Sequence, residues 1–329
     1  MITSHLYKFI ASALSPAGHR ARLSILIYHR VLAETDPIFL NEVTVKSFDT
    51  QMRLIKSVFN VLPLKEAVAR LASGTLPARA ACITFDDGYA DNLTFALPLL
   101  KKHGLHATFF IATAYLNGGR MFNDTVIEAI RRSPLSALNL DELGLGCFDI
   151  ASHETKAHAI GQILPQVKYR PLDAREKTVA RIAELAQCGP LPNELMLSTE
   201  QLKALHAAGM EIGGHTAHHP ILANLDTDAV RQEIKAGKEF LEQTLNTRIS
   251  LFAYPNGKPG ADYLPTQAAI VRELGFDAAV STQWGSAIQA SDLFQLPRFT
   301  PWSSKPMRFI LALIGNLRHP IKQTTNNNA

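Results

Sequence analysis

The sequence predicts an α/β protein whose strands form one parallel, barrel-like sheet. Three observations carry this expectation. Short apolar runs alternate with amphipathic helical patterns along most of the chain, the signature of repeated βα units. About seven or eight such runs can be counted, which suits a closed barrel better than an open sheet. A chain of 329 residues is long enough to bury one large core.

The elements follow in order. LSILIY (23–28) is rich in Leu and Ile and reads as a buried strand. SFDTQMRLIKSVF (47–59) sets Phe48, Met52, Ile55 and Phe59 at helical spacing, with Ser47 as its N-cap. ACITF (81–85) is a strand. NLTFALPLLKKHG (92–104) reads as one helix with a proline inside and Gly104 just past its end. ATFFIAT (107–113) is again a strand. The stretch 120–197 holds two or three helical patterns and no clear strand, so it is expected to be a helical excursion from one βα loop. STEQLKALHAAG (198–209) opens on a capping box, Ser198 with Gln201, and stops at Gly209 before a strand at 210–214. DAVRQEIKAGKEFLEQTL (228–245) gathers Val230, Ile234, Leu241 and Leu245 on one face. Strand ISLFAY (249–254), a helix at 265–274, and strands DAAVS (277–281) and FQLPRF (294–299) complete the alternation. Residues 1–22 are read as an N-terminal extension, 23–305 as a single barrel with its excursion, and 306–329 as a C-terminal helix and tail. FILALIG in that last segment reads as a docking helix, and QTTNNNA as disordered.

A composition of 47% hydrophobic and 19% charged residues fits a soluble globular protein. The net charge is +4 with the basic residues read as scattered, so there is no nucleic-acid footprint. Cys82, Cys147 and Cys188 are few, distant and odd in number, and make neither a disulfide framework nor a CxxC knuckle. A cytoplasmic location is the simplest reading, with a membrane-peripheral or exported one as the alternative. The opening MITSHLYKFIASALSPAG lacks the basic n-region and long apolar core of a signal peptide. No run reaches the ~18 apolar residues of a membrane span, which leaves a peripheral membrane contact through the C-terminal helix.

Four strand ends carry reactive or turn residues. In ITFDDGY (83–89) Asp86 and Asp87 follow a strand. His215 and His219 follow another in GGHTAHHP, His29 follows the first in YHRV, and the turn YPNG (254–257) follows a fourth. Catalytic groups of a (β/α) barrel sit at the C-terminal ends of its strands. Two adjacent carboxylates repel unless a cation lies nearby. A metal held by Asp87, His215 and His219 with one open position answers that need. The two histidines, four apart, suit one turn of a helix facing one ion. His218 is a rival ligand, but on a helix it lies about 100° around from His219. Asp86, pointing the other way along an extended chain, is left free to act as base. Gly88 permits the tight turn that follows.

TFDDGYADN, GHTAHHP and FAYPNG resemble the successive motifs of the polysaccharide deacetylases, the NodB-homology or carbohydrate esterase 4 family. The resemblance spans about residues 24–300. It implies a distorted (β/α)7 barrel and an Asp-His-His metal site that hydrolyses N-acetyl groups on sugars. Asp86 then matches the general base, and Asp87, His215 and His219 the ligands of a divalent ion, zinc first, with cobalt or manganese as substitutes. Two departures stand out. The arginine common near Ala253, which steadies the base, is missing, and Arg298 in LPRF is the replacement expected from a neighbouring strand. The C-terminal histidine that acts as acid has no match. YHRV is similar to the arrangement in permuted members such as the poly-N-acetylglucosamine deacetylases, which makes His29 the expected acid. The implied mechanism is attack of water on the acetamide, with the oxyanion held by the metal and a backbone N–H near Tyr254. The implied partner is an N-acetylated glycan. The rival readings are a carbohydrate-binding protein without turnover on the same scaffold, and a metal amidase acting on a non-sugar amide.

Overall fold

The computed structural model describes residues 2–322 apart from 301, 302 and 304; the tail read as disordered lies outside them. In chain order the first half contains α1 (Ile2–Leu14), β1 (Leu23–Tyr28), α2 (Val45–Val58), β2 (Asn60–Val61), α3 (Leu64–Ser73), β3 (Ala80–Phe85), α4 (Leu97–His103), β4 (Thr108–Ile111), α5 (Phe122–Arg132), β5 (Ala137–Asn139), β6 (Cys147–Asp149), α6 (His153–Lys168) and α7 (Leu172–Leu185). The second half contains α8 (Thr199–Ala207), β7 (Glu211–Gly214), α9 (Thr227–Leu245), β8 (Leu251–Ala253), α10 (Pro265–Glu273), β9 (Ala278–Trp284), β10 (Ser286–Ala287), β11 (Leu296–Arg298), α11 (Pro306–Asn316) and β12 (Pro320–Ile321).

The main sheet runs β11-β9-β8-β7-β4-β3-β1-β10-β12. From β11 to β1 every pairing is parallel. A parallel bridge from Leu26 to Phe299 joins β1 to the end of β11, so these seven strands close on themselves. Parallel strands covered on both faces read as continuous apolar runs, and all six residues of β1 and of β3 are buried. Ile25, Cys82, Phe110, Val280 and Leu296 share one cluster with Leu64, Ala67 and Leu71 of α3. Leu26, Ile83, Phe109 and Phe252 share the other with the inner faces of α2, α9 and α11.

Several local expectations change. The N-cap of α2 is Thr44, and Ser47 completes its capping box from the third position. Residues Asn92–Ala96 form a π-helical turn, and the α-helix begins only at Leu97, next to Pro98, because proline lacks the N–H an interior turn requires. Helices α1 and α3 carried no clear sequence signal. Glu211 at the foot of β7 caps α3 through Leu64 N (2.7 Å) and Lys65 N (3.2 Å). The excursion at 120–197 contains α5, α6 and α7, but also an antiparallel β5–β6 pair. These elements enclose their own small core around Val126, Ile130, Leu138, Ile160 and Ile182. The C-terminal helix α11 docks through Phe309, Ile310, Leu313 and Ile314.

Candidate active site

The site lies where β1, β3, β7, β8 and β11 end. Asp86 follows β3 and is almost fully buried. Arg298 ends β11 and grips it with two bonds, Nη1 to Oδ1 and Nη2 to Oδ2, both 2.7 Å. Arg298 is itself 1% exposed, and is aligned by the Ser281 carbonyl (2.8 Å) and the Thr84 hydroxyl (3.2 Å). Burial raises the Asp86 pKa, but Arg298 and then His215 outweigh it and hold the carboxyl below its usual range. The arginine absent at Ala253 thus has a counterpart in Arg298, donated from another strand.

Asp87 points elsewhere for a reason other than strand alternation. Its backbone is left-handed, at φ 74°, so the chain has already left the extended conformation. Gly88 continues the turn at φ 92°, with its N–H on the Asp86 carbonyl at 3.0 Å. The turn sends the Asp87 carboxylate toward the two histidines. Its Oδ1 lies 3.4 Å from His215 Nε2 and 3.5 Å from His219 Nε2.

The histidines do not share a helix. Residues 215–219 form a loop after β7, with Thr216 at φ 63° and His219 at φ 49°. The Thr216 hydroxyl accepts the His219 N–H (3.0 Å) and closes the loop from within. Helix α9 closes it from outside. Glu233 accepts from Ala217 N (3.2 Å) and His218 N (2.9 Å), and pairs with His218 Nδ1 (2.8 Å). The close approach requires Gly237, since a Cβ there would meet the Thr216 carbonyl at 2.7 Å. His218 is therefore turned outward onto Glu233, away from Asp87.

The donor set fits a metal ion. The Asp87, His215 and His219 ligand atoms all lie within 4.8 Å of one another, and all three residues are buried. Asp87 Oδ1 is buried without a hydrogen-bond partner. A tetrahedral ion ~2.0–2.2 Å from each ligand sets neighbouring ligand atoms roughly 3.3–3.6 Å apart, which matches the 3.4 and 3.5 Å found here. His215 Nδ1 donates to the Ala253 carbonyl at 2.7 Å, which leaves the Nε2 lone pair facing Asp87. Burial, then the neighbouring His215, lowers the His219 pKa to about 3, so it stands neutral as a ligand must. His215 goes the other way: burial lowers its pKa, but Asp87 and Asp86 raise it overall.

His29 is exposed and follows β1. It lines a cavity of about 480 Å³ together with Asp86, Asp87, His215, His219 and Asn256. A second cavity of about 580 Å³ meets the first at His29, Asp87 and Asn123. The residues after DDGY hold the His29 strand end in place. Asn92 donates to the His29 carbonyl (2.8 Å), and Asp91 accepts from Arg30 Nε (2.8 Å) and Val31 N (3.1 Å).

Sequence reasoning missed three groups. Asp124 is buried in the second cavity, takes the Tyr89 hydroxyl at 3.2 Å and has its pKa pushed up to about 7 by burial. Glu233 sits on a helix far from any motif. Asn256 stands in the YPNG turn at φ 58°, and its Nδ2 is buried without a partner. Of the backbone donors expected near Tyr254, the N–H of Tyr254 itself is bound to the Val280 carbonyl at 3.2 Å.

Known proteins resemble this chain in sequence and in fold. The profile of the polysaccharide deacetylase family matches residues 73–279. The chain belongs to the polysaccharide deacetylase family. This deacetylase-family chain is 22% identical over 280 residues to YxkH of Bacillus subtilis, a protein provisionally assigned to polysaccharide deacetylation, with 84% of this chain and 71% of that one aligned. It is 29% identical over 153 residues to a poly-β-1,6-N-acetyl-D-glucosamine N-deacetylase of Staphylococcus epidermidis, an alignment covering 45% of this chain and 50% of the relative. The fold matches the Streptococcus pyogenes deacetylase PplD, solved with acetate, at a TM-score of 0.58 and 22% identity over 89% of this chain and 98% of the other. Deacetylases of this family are metal-dependent, and Asp87, His215 and His219 form a cluster that could hold an ion here.

Proposed function

We propose that the protein is a metal-dependent hydrolase that removes N-acetyl groups from amino sugars of a glycan and releases acetate. The observation that carries this reading is the unpartnered Asp87 Oδ1, 3.4 and 3.5 Å from two imidazole nitrogens and next in sequence to an Asp86 clamped by Arg298. A divalent cation held by Asp87, His215 and His219, zinc by its donor set with cobalt or manganese as substitutes, supplies Lewis acidity and lowers the pKa of nearby water.

The chain's own residues do the rest. Asp86, kept ionised and fixed in direction by Arg298, takes the proton from water as it attacks the acetamide carbon. Asn256 Nδ2 is the free donor beside the developing oxyanion. His29, at the junction of the two cavities, delivers a proton to the departing sugar amine. The bond from the carbonyl carbon to nitrogen breaks, and acetate and a free amino sugar leave. Arg298 weighs against the reading as a carbohydrate binder without turnover, since the base keeps its partner despite Ala253.

The test is acetate release from a panel of β-1,6-linked N-acetylglucosamine oligomers, other acetylated oligosaccharides and small non-sugar amides, with and without a chelator. Acetate from sugars alone, lost with chelator and restored by zinc, is expected. Turnover of the simple amides at equal rate identifies an amidase. No turnover with any metal, together with retained oligosaccharide binding, identifies a binder.

A further inference from the structure

The net charge of +4 hides an uneven distribution. Residues 1–22 contain Lys8, Arg20 and Arg22 and no acid. Residues 305–329 contain Lys305, Arg308, Arg318 and Lys322 and no acid. These two ends hold more positive charge than the whole chain's net, so the remainder is net negative. The fold brings the ends together, because α1 and α11 pack against each other and both pack on α2.

Each of the two helices is apolar on both sides. Ala11 of α1 and Phe309, Ile310, Leu313 and Ile314 of α11 enter the core. On the outer side Leu6 is 54% exposed, Phe9 73%, Met307 64% and Leu311 47%. Four of the eight most exposed large apolar side chains among the described residues therefore lie on this helix pair. Lys8 of α1 and Arg308 of α11 are exposed, as are Lys305 and Arg318, which flank α11. Scattered exposed apolar residues are ordinary, but several on two packed helices whose own charged residues are all basic mark an interaction surface.

We propose that the outer face of α1 and α11 docks on a lipid bilayer surface that carries anionic headgroups. Leu6, Phe9, Met307 and Leu311 enter the headgroup–acyl boundary, and Lys8, Lys305 and Arg308 meet the phosphates. The absence of any acid from either terminal segment favours this occupant over a mixed-charge protein surface. Among the described residues no helix is long and apolar enough to cross a membrane, and the proposed contact is a surface one. The attachment also sets an orientation. Helix α11 follows β11, whose last residue, Arg298, reaches Asp86, so Met307, Arg308 and Leu311 in its first turns lie toward the catalytic end of the barrel. A docked molecule holds its cavity near the membrane plane.

The test is co-sedimentation of the whole chain with vesicles of phosphatidylcholine alone and of an equal mixture of phosphatidylcholine and phosphatidylglycerol. Binding to the anionic vesicles only, falling as salt is raised, is expected. Lys8→Glu and Arg308→Glu should each weaken it by on the order of five-fold or more. The double variants Leu6→Glu/Phe9→Glu and Met307→Glu/Leu311→Glu should abolish it. These positions are solvent-exposed, so the melting temperature and the turnover of a short soluble oligosaccharide should stay unchanged. Absence of binding by the unmodified chain overturns the proposal, as does binding that the variants leave intact. A dimer in sedimentation equilibrium that Phe9→Glu dissociates would also overturn it, and would assign the face to a second copy of the chain.

Discussion

The loop after β3 and the loop after β7 both aim charged or ligating groups at one point, and both do so through left-handed backbone. They differ in what braces them beyond the sheet. Asp86 and Asp87 are fixed from inside the barrel, by the sheet bond from Asp86 N to the Tyr28 carbonyl (2.9 Å) and by Arg298. His215 shares that inner hold, through its sheet bond to the Ile111 carbonyl (3.2 Å) and its ring bond to Ala253, but the loop that leads on to His219 is also braced from outside, by Glu233 on Ala217 and His218 and by the close approach of α9 at Gly237. The first arrangement couples the base to closure of the barrel. The second couples the ligands to the seating of one surface helix. Damage to the two should therefore look different.

The largest expected effect removes the common target. Asp87→Ala, His215→Ala or His219→Ala should abolish acetate release and lower metal content measured on the purified protein. Full metal content in His219→Ala would contradict the ligand set and return attention to His218. Next, Asp86→Asn keeps the shape but not the basicity, and kcat should fall on the order of 10²–10⁴-fold with metal content nearly intact.

Arg298→Met tests the inner clamp. It leaves a buried carboxylate unpaired, so about 3–5 kcal/mol of stability should disappear, read from denaturant unfolding, along with most activity. Glu233→Gln tests the outer clamp. Metal affinity should drop roughly 10- to 100-fold, the usual cost of disturbing a group that orients ligands, while global stability changes little. A large stability loss in Glu233→Gln, or a large metal loss in Arg298→Met without unfolding, would erase the contrast between the loops.

The smallest effect is a pH dependence confined to the outer clamp. Glu233 raises the His218 pKa above its ordinary value of 6.5. The charged pair therefore contributes fully below pH 6.5 and fades as pH rises through the raised value. His218 is partly exposed, so the contribution is under about 1 kcal/mol. Denaturant unfolding of the wild type should show a slight loss of stability on that alkaline side, and His218→Asn should flatten the slope.

Much of this was legible in the sequence because strand ends and their reactive residues are local. Asp86, Asp87, His215, His219 and His29 follow apolar runs within a residue or a few. The barrel was legible because buried parallel strands are continuous in apolar residues. What escaped is non-local or unpatterned. The spacing of His215 and His219 suggested a helix, since two residues four apart fit one turn; only the Glu233 clamp makes the loop the better solution. Asp124 carries no spacing signal, because its importance comes from burial beside a cavity, and Asn256 lies in the quoted YPNG turn, where only its buried, unpartnered Nδ2 marks it as more than a turn residue. Helix α1 looked like an extension because its apolar residues face two ways. The basic termini looked scattered because they are some 300 residues apart in the chain and neighbours only in the fold.

The bond between Arg298 and Asp86 spans 212 residues. Contacts of such sequence separation form late, because most of the chain must be ordered before their ends can meet. A nascent chain that has displayed Asp86, Asp87, His215 and His219 still lacks the partner that keeps its base ionised and aimed. The proposed hydrolytic centre is thus completed by the last of the seven barrel strands to emerge, and a ribosome-bound fragment ending before residue 296 has every proposed ligand for an ion and no Arg298 to hold the proposed base.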